Sequence, residues 1–149
     1  MRAALFALLG FTVAGIAVAA VSLAHHGAFI SGSFCTIGQG FNCDIVNRGA
    51  YSEIFGMPVA LIGVVGYVFL GLAAVLKLRT SSDQSLSLFL LLASGGGFAF
   101  SLYLTGLEAF VLHTWCLLCL TSQTLMAGCL VASLVVWAKE RKTIVRDKS

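Results

Sequence analysis

The sequence predicts an all-α membrane protein, a four-transmembrane-helix bundle with an outward-facing loop and a short interfacial helix between helices 1 and 2. Three observations carry that expectation. Hydrophobic residues make up 59% of the chain and charged residues 10%, with a mean hydropathy of +1.00, which excludes an ordinary soluble domain. The apolar residues fall into four runs, each near the roughly 20 residues that cross a bilayer as a helix. Lys and Arg gather on one side of those runs, as the positive-inside rule requires of a multi-pass protein. At 149 residues the chain holds four spans and one substantial loop, so residues 1–149 are read as a single integral membrane domain in contact with lipid, with no soluble domain and no nucleic-acid partner.

The first run, residues 3–24, follows Met1-Arg2. Ser22-Leu23-Ala24 has the small-residue character of a signal cleavage site, but the apolar core is as long as a full span, whereas a signal core is roughly 7–15 residues. A retained helix is therefore expected, with Gly10, Ala14, Gly15 and Ala19 allowing close packing. Residues 25–56 form the outer loop, broken by Gly27, Gly32, Gly38 and Gly40. The apolar spacing of Ile45 to Phe55 suits a short helix lying at the interface, although Gly49 weakens it.

The second span, residues 57–76, opens at Gly56-Met57-Pro58, where proline sits in the first helical turn at no cost in hydrogen bonds. Lys77 and Arg79 follow, then the polar turn Thr80-Ser81-Ser82-Asp83-Gln84. The third span covers residues 86–107, and its Gly95-Gly96-Gly97 suits tight helix packing or a kink. Glu108 and His113 bracket a brief turn. The fourth span covers residues 112–137, and a basic tail, residues 138–149, completes the chain.

Orientation follows from the cations. Arg2, Lys77, Arg79, Lys139, Arg141, Lys142, Arg146 and Lys148 fall on one side and Arg48 alone on the other, which puts both termini in the cytoplasm and the loop outside.

Chemistry enters through cysteine. Cys116 and Cys119 form a Cys-x-x-Cys pair inside an apolar run, one helical turn apart, within reach of a disulfide. The same spacing opens many zinc sites, and a lone cysteine is ordinary packing. Cys35 and Cys43, with seven residues between them, suit a loop-closing disulfide, either redox-active or a structural staple. The topology brings both pairs to the outer leaflet, where disulfides persist. Cys129, ten residues past Cys119, is roughly 15 Å deeper along the helix and reads as packing.

Cys35, Cys43-Asp44-Ile45-Val46, Tyr51-Ser52-Glu53-Ile54-Phe55-Gly56-Met57-Pro58, Gly63-Val64-Val65-Gly66-Tyr67 and Trp115-Cys116-Leu117-Leu118-Cys119 together resemble the vitamin K epoxide reductase family, bacterial branch. A spaced loop pair followed by a late Cys-x-x-Cys is more specific than either alone. Unrelated quinone-linked disulfide-forming membrane proteins have the two patterns in the reverse order. The resemblance implies a bacterial inner-membrane enzyme without a fused thioredoxin-like domain. It would generate disulfides by passing electrons from a separate periplasmic thioredoxin-fold partner to a quinone, ubiquinone or menaquinone. It also implies the roles. Cys35 faces the partner, Cys43 relays to Cys116, and Cys119 meets the quinone.

The quinone contacts implied are Ser52, where vertebrate relatives carry Asn, Phe55, a matching aromatic, and Gln123, where vertebrate relatives carry Tyr. Gln123 lies one turn beyond Cys119 and is read either as a donor to a quinone carbonyl or as a helix-to-helix hydrogen bond. Ser52 also suits a turn hydrogen bond and Phe55 interfacial packing. Many relatives have Ser or Thr where this chain has Gly49. Two alternatives stand beside this reading: a metal-binding membrane protein using the four cysteines with His25, His26 or His113, and a structural scaffold with a loop disulfide.

Overall fold

The computed structural model describes residues 1–29, 35, 38, 40–80 and 83–147, Asp147 by its backbone alone. Gly32 of the expected loop and Ser81 and Ser82 of the expected cytoplasmic turn lie outside the described residues. Helix α1 is Arg2–His26, α2 is Cys43–Arg48, α3 is Val59–Arg79, α4 is Gln84–Leu107 and α5 is Leu117–Asp147. Between α2 and α3 a two-stranded hairpin pairs β1, Glu53–Ile54, with β2, Met57–Pro58, placing Glu53 opposite Pro58 and Ile54 opposite Met57. Four of the helices are long and apolar enough to cross a membrane, so the chain is a four-helix membrane bundle.

Local chemistry sets the helix ends. Asn42 Oδ1 accepts hydrogen bonds from the backbone N–H groups of Asp44 (3.0 Å) and Ile45 (3.4 Å), an N-cap that starts α2 at Cys43. Gly49 ends it, and a Cβ there would collide with the Ile45 carbonyl oxygen. The short helix therefore lies earlier than the expected Ile45 to Phe55, and the second half of that stretch is hairpin. Phe55 and Gly56, at φ 53° and 75°, make its two-residue turn, the pattern of a type I′ hairpin.

The fourth helix also departs from expectation at both ends. It begins at Leu117 rather than near residue 112, because α4 widens into a π-helical turn, Glu108–Leu112, and His113 at φ 51° breaks the helix. The helix runs on through Asp147, so the basic stretch that follows residue 137 is helical rather than separate from the span. The reason is local support. Arg141 lies 4.8 Å from the Trp137 ring centroid, Thr143 Oγ1 donates to the Lys139 carbonyl, and Glu140 is tied to Lys77 of α3 at 2.6 Å.

In the bundle α1 packs on α3 and α5, and α4 packs on α5 and α3. The core runs through Leu5, Leu8, Ala19, Leu70, Ala74, Leu90, Cys129 and Val136, while Phe6, Val13, Phe69, Leu72, Leu92 and Val131 face outward, as lipid-facing positions do. Gly15 is required by one contact. A Cβ at that position would overlap the Tyr67 ring, so its absence lets the ring lie against α1 and its hydroxyl reach the Ser122 carbonyl of α5 at 2.7 Å. The triple glycine does not break α4. Gly97 instead lets Met126 approach, its Cε 3.0 Å from where a Cβ would stand, which is the tight-packing reading.

Candidate active site

A short piece of backbone pairing brings the two cysteine pairs together. Trp115 N–H donates to the Gly40 carbonyl (3.0 Å) and Asn42 N–H donates to the Trp115 carbonyl (3.2 Å), a parallel bridge between the loop and the stretch before α5. The residue that follows on each side is a cysteine. Cys43 and Cys116 accordingly meet with their sulfurs 3.4 Å apart, both fully buried. Cys35 is joined to Cys43 in a disulfide, with Cα atoms 5.7 Å apart.

Cys116 also starts α5. Its carbonyl accepts from Leu120 N–H (3.0 Å) and its Sγ from Cys119 N–H (3.4 Å), so the sulfur occupies the place of an N-cap oxygen. Its thiol is held below the usual thiol range, chiefly by the hydrogen bond from the Cys119 side chain, against the opposing effect of burial. The four sulfurs form one path, Cys35 to Cys43 to Cys116 to Cys119, with no barrier of intervening side chains between the pairs.

Polar groups at the end of α1 hold the loop over this path. His25 Nε2 lies 3.1 Å from Asp44 Oδ1, His26 Nδ1 lies 2.6 Å from the Asn47 carbonyl, and Arg48 donates to the His25 carbonyl at 3.2 Å. On the α4 side, Glu108 Oε2 accepts from Cys116 N–H at 3.0 Å and the Glu108 carbonyl from Thr114 N–H at 3.2 Å.

Beside Cys119 the bundle forms a cavity of about 230 Å³, mostly apolar, with Ser22, His26, Asn47, Ser52 and Glu108 among the polar points on its wall. Ser22 Oγ donates to Asn47 Oδ1 at 2.8 Å, which fixes the amide and leaves the buried Asn47 Nδ2 with no hydrogen-bond partner among the described residues. An apolar chamber next to a thiol, with an unused amide donor, fits a lipid-soluble molecule bearing a carbonyl.

The expected quinone contacts separate here. Ser52 is buried on the cavity wall, and its hydroxyl donates to the Gly49 carbonyl at 2.7 Å, so it also makes the turn hydrogen bond. Gln123 takes the other of its two readings, accepting a hydrogen bond from Thr105 Oγ1 of α4, and the α5 residues lining the chamber are Leu118, Cys119, Ser122 and Met126. Phe55 is 99% exposed at the hairpin tip and off the cavity wall. A side chain at position 49, the expected hydroxyl included, would collide with the Ile45 carbonyl unless the backbone shifted.

Sequence reasoning missed Asn47, Tyr67 and Glu108. Glu108 carried a legible signal, since an ionisable residue at the end of a membrane span is functional by default. Asn47 carried none, because its role depends on the cavity.

The sequence model described as "Vitamin K epoxide reductase family" matches residues 3–134. The chain belongs to the vitamin K epoxide reductase family. Among curated proteins none matches the chain. Vitamin K epoxide reductase family chemistry is membrane thiol–disulfide oxidoreduction, and the chain is an oxidoreductase of that class, with the sulfur path as the site that fits it.

Proposed function

We propose that the protein generates disulfides for the periplasm of a bacterium, taking electrons from a separate thioredoxin-fold partner and passing them to ubiquinone or menaquinone. The 3.4 Å approach of Cys43 to Cys116 is the observation that carries this reading. A structural staple has no reason to hold a third and fourth thiol against its disulfide.

The chain's residues divide the work. A partner thiolate attacks Cys35, releasing Cys43, and the partner's second thiol resolves that bond to leave both loop thiols reduced. Cys43 then attacks Cys116 of the inner disulfide, releasing Cys119, and Cys35 resolves the Cys43–Cys116 bond to regenerate the loop disulfide and two inner thiols. A quinone bound in the chamber supplies the two-electron acceptor. Asn47 and Ser52 line its place among mostly apolar walls. His25 and His26, ligands in the metal-site alternative, are turned to Asp44, Glu53 and the Asn47 backbone, which favours exchange over coordination.

Trapping tests the relay. In Cys35→Ala protein the resolving thiol is missing, so a Cys43–Cys116 disulfide is expected to accumulate and to appear by mass spectrometry of alkylated peptides. If only Cys35–Cys43 and Cys116–Cys119 bonds ever form, the loop is a staple. Orientation has its own check. In a background lacking native cysteines, Ala50→Cys and Thr80→Cys, both at exposed positions, are expected to react with an impermeant thiol reagent from opposite sides of the membrane. Labelling of both from one side sinks the topology.

A further inference from the structure

Exchange along the four sulfurs leaves a buried carboxyl group beside them without a task. Glu108 is 2% exposed, in the π-helical turn that ends α4. One carboxylate oxygen caps Cys116 N–H, while the other, Oε1, is buried with no hydrogen-bond partner among the described residues. A carboxylate oxygen of Glu108 lies within 4.8 Å of both the Cys116 and the Cys119 sulfur, and the residue stands on the cavity wall. Capping uses one oxygen and would be served as well by a neutral amide. A buried carboxylate with an open oxygen costs several kcal/mol unless it is protonated or paired, so its retention beside two thiols calls for a chemical reason.

We propose that Glu108 is the proton-transfer residue of the inner pair, holding the proton given up by Cys116 while the pair is reduced and releasing it to the acceptor as the Cys116–Cys119 disulfide forms. This rests on the exchange reading above and deepens it. In the reduced state the site holds a Cys116 thiolate, a Cys119 thiol and a Glu108 carboxylic acid. On oxidation the S–S bond forms and two electrons leave for the quinone substrate. One proton from Cys119 and one from Glu108 complete the hydroquinone, leaving Glu108 a carboxylate. On the return half, two electrons and two protons come from the Cys35 and Cys43 thiols. Their own disulfide forms, the inner one breaks, and Glu108 recovers its proton.

The buried site thus carries one negative charge in either redox state, displaced only between sulfur and carboxylate. Neither half-reaction has to bury a second charge. The titratable groups facing this point are Cys116 and Cys119 at the start of α5 and Cys43 of α2, with Tyr67 of α3, His26 of α1 and Tyr51 of the loop on the shared cavity wall. Asp44 and Arg48 of α2 are turned to His25.

Infrared difference spectroscopy of the full chain in lipid nanodiscs tests this without quinone. The spectrum of protein reduced by dithiothreitol minus protein oxidised by diamide is expected to show the carbonyl band of a protonated carboxylic acid. The band should shift in protein grown with carboxyl-¹³C glutamate and vanish in Glu108→Gln. Absence of a ¹³C-sensitive band, or its survival in Glu108→Gln, overturns the proposal. If that variant fails to fold, Glu108→Asp serves, since its acid band would no longer respond to the glutamate label. In a second arm, a single turnover with decylubiquinone should be slowed on the order of a hundredfold in Glu108→Gln, with partial recovery in Glu108→Asp. An unchanged rate there overturns proton transfer through Glu108. A normal infrared band in protein that never reduces decylubiquinone or menadione strikes the quinone reading instead.

Discussion

The bundle buries a glutamate near each end and treats the two differently. Glu140, 8% exposed, receives the Lys77 ammonium at 2.6 Å, and Lys77 also donates to the Asp83 carbonyl at 2.5 Å, so α3, α5 and the start of α4 are tied together by satisfied groups. Glu108, at the cysteine end, has one oxygen engaged and the other without a partner among the described residues. A charge whose partners are all present holds a structure; a charge left half-partnered beside thiols is available for chemistry. The same contrast holds for the amides. Gln123 bonds across to α4 through its oxygen, whereas the buried Asn47 nitrogen, on a residue of the chamber wall, has no partner among the described residues.

Breaking the two ends should therefore give different failures. The largest effect is expected at the cysteine end. Cys119→Ala should abolish quinone reduction while the protein still extracts and melts like the original, as measured by anaerobic absorbance and thermal denaturation in detergent. Turnover in that variant would refute the electron path.

Next comes the other end. Lys77→Ala should cost about 3–5 kcal/mol of stability by stranding Glu140, whereas the double change Lys77→Met with Glu140→Leu should lie within a few kcal/mol of the original. Denaturation of the three proteins decides it. Equal losses in the single and double variants would mean that the pair itself, rather than the stranded charge, sets the stability.

The capping sulfur gives a pH signature. Because its thiol sits below the usual range, reduced Cys116 should keep its thiolate, and its alkylation rate, to lower pH than an ordinary cysteine. Removing the hydrogen bond by Cys119→Ala should move that midpoint upward. A midpoint that does not move assigns the effect to the helix start alone.

Smaller effects belong to the loop. Asn42→Ala should cost about 1 kcal/mol through the lost cap and slow the trapping of Cys43 on Cys116, since the cap adjoins the bridge that aligns them. Phe55→Asn should gain about 1 kcal/mol by relieving a left-handed phenylalanine, with exchange unchanged. A loss of quinone reduction in Phe55→Asn would show that this exposed ring reaches the acceptor after all.

The sequence by itself determined the membrane class, the four helices and the two cysteine pairs, because each is written locally, in uninterrupted apolar runs and in motif spacing. The end of α2 was half legible, since Gly49 was visible as a weak point but the Asn42 cap took precedence over the periodicity around Ile45. Tertiary structure alone decided which groups share the chamber. Cys43 meets Cys116 through a two-bond bridge at Trp115, a π-helical turn swings Glu108 onto Cys116, and Gly15 seats the Tyr67 ring so that its hydroxyl reaches α5. Each of these depends on where a second segment lies. A residue's neighbours along the chain determine its backbone, but a hydrogen bond left open or satisfied is a property of the packed whole.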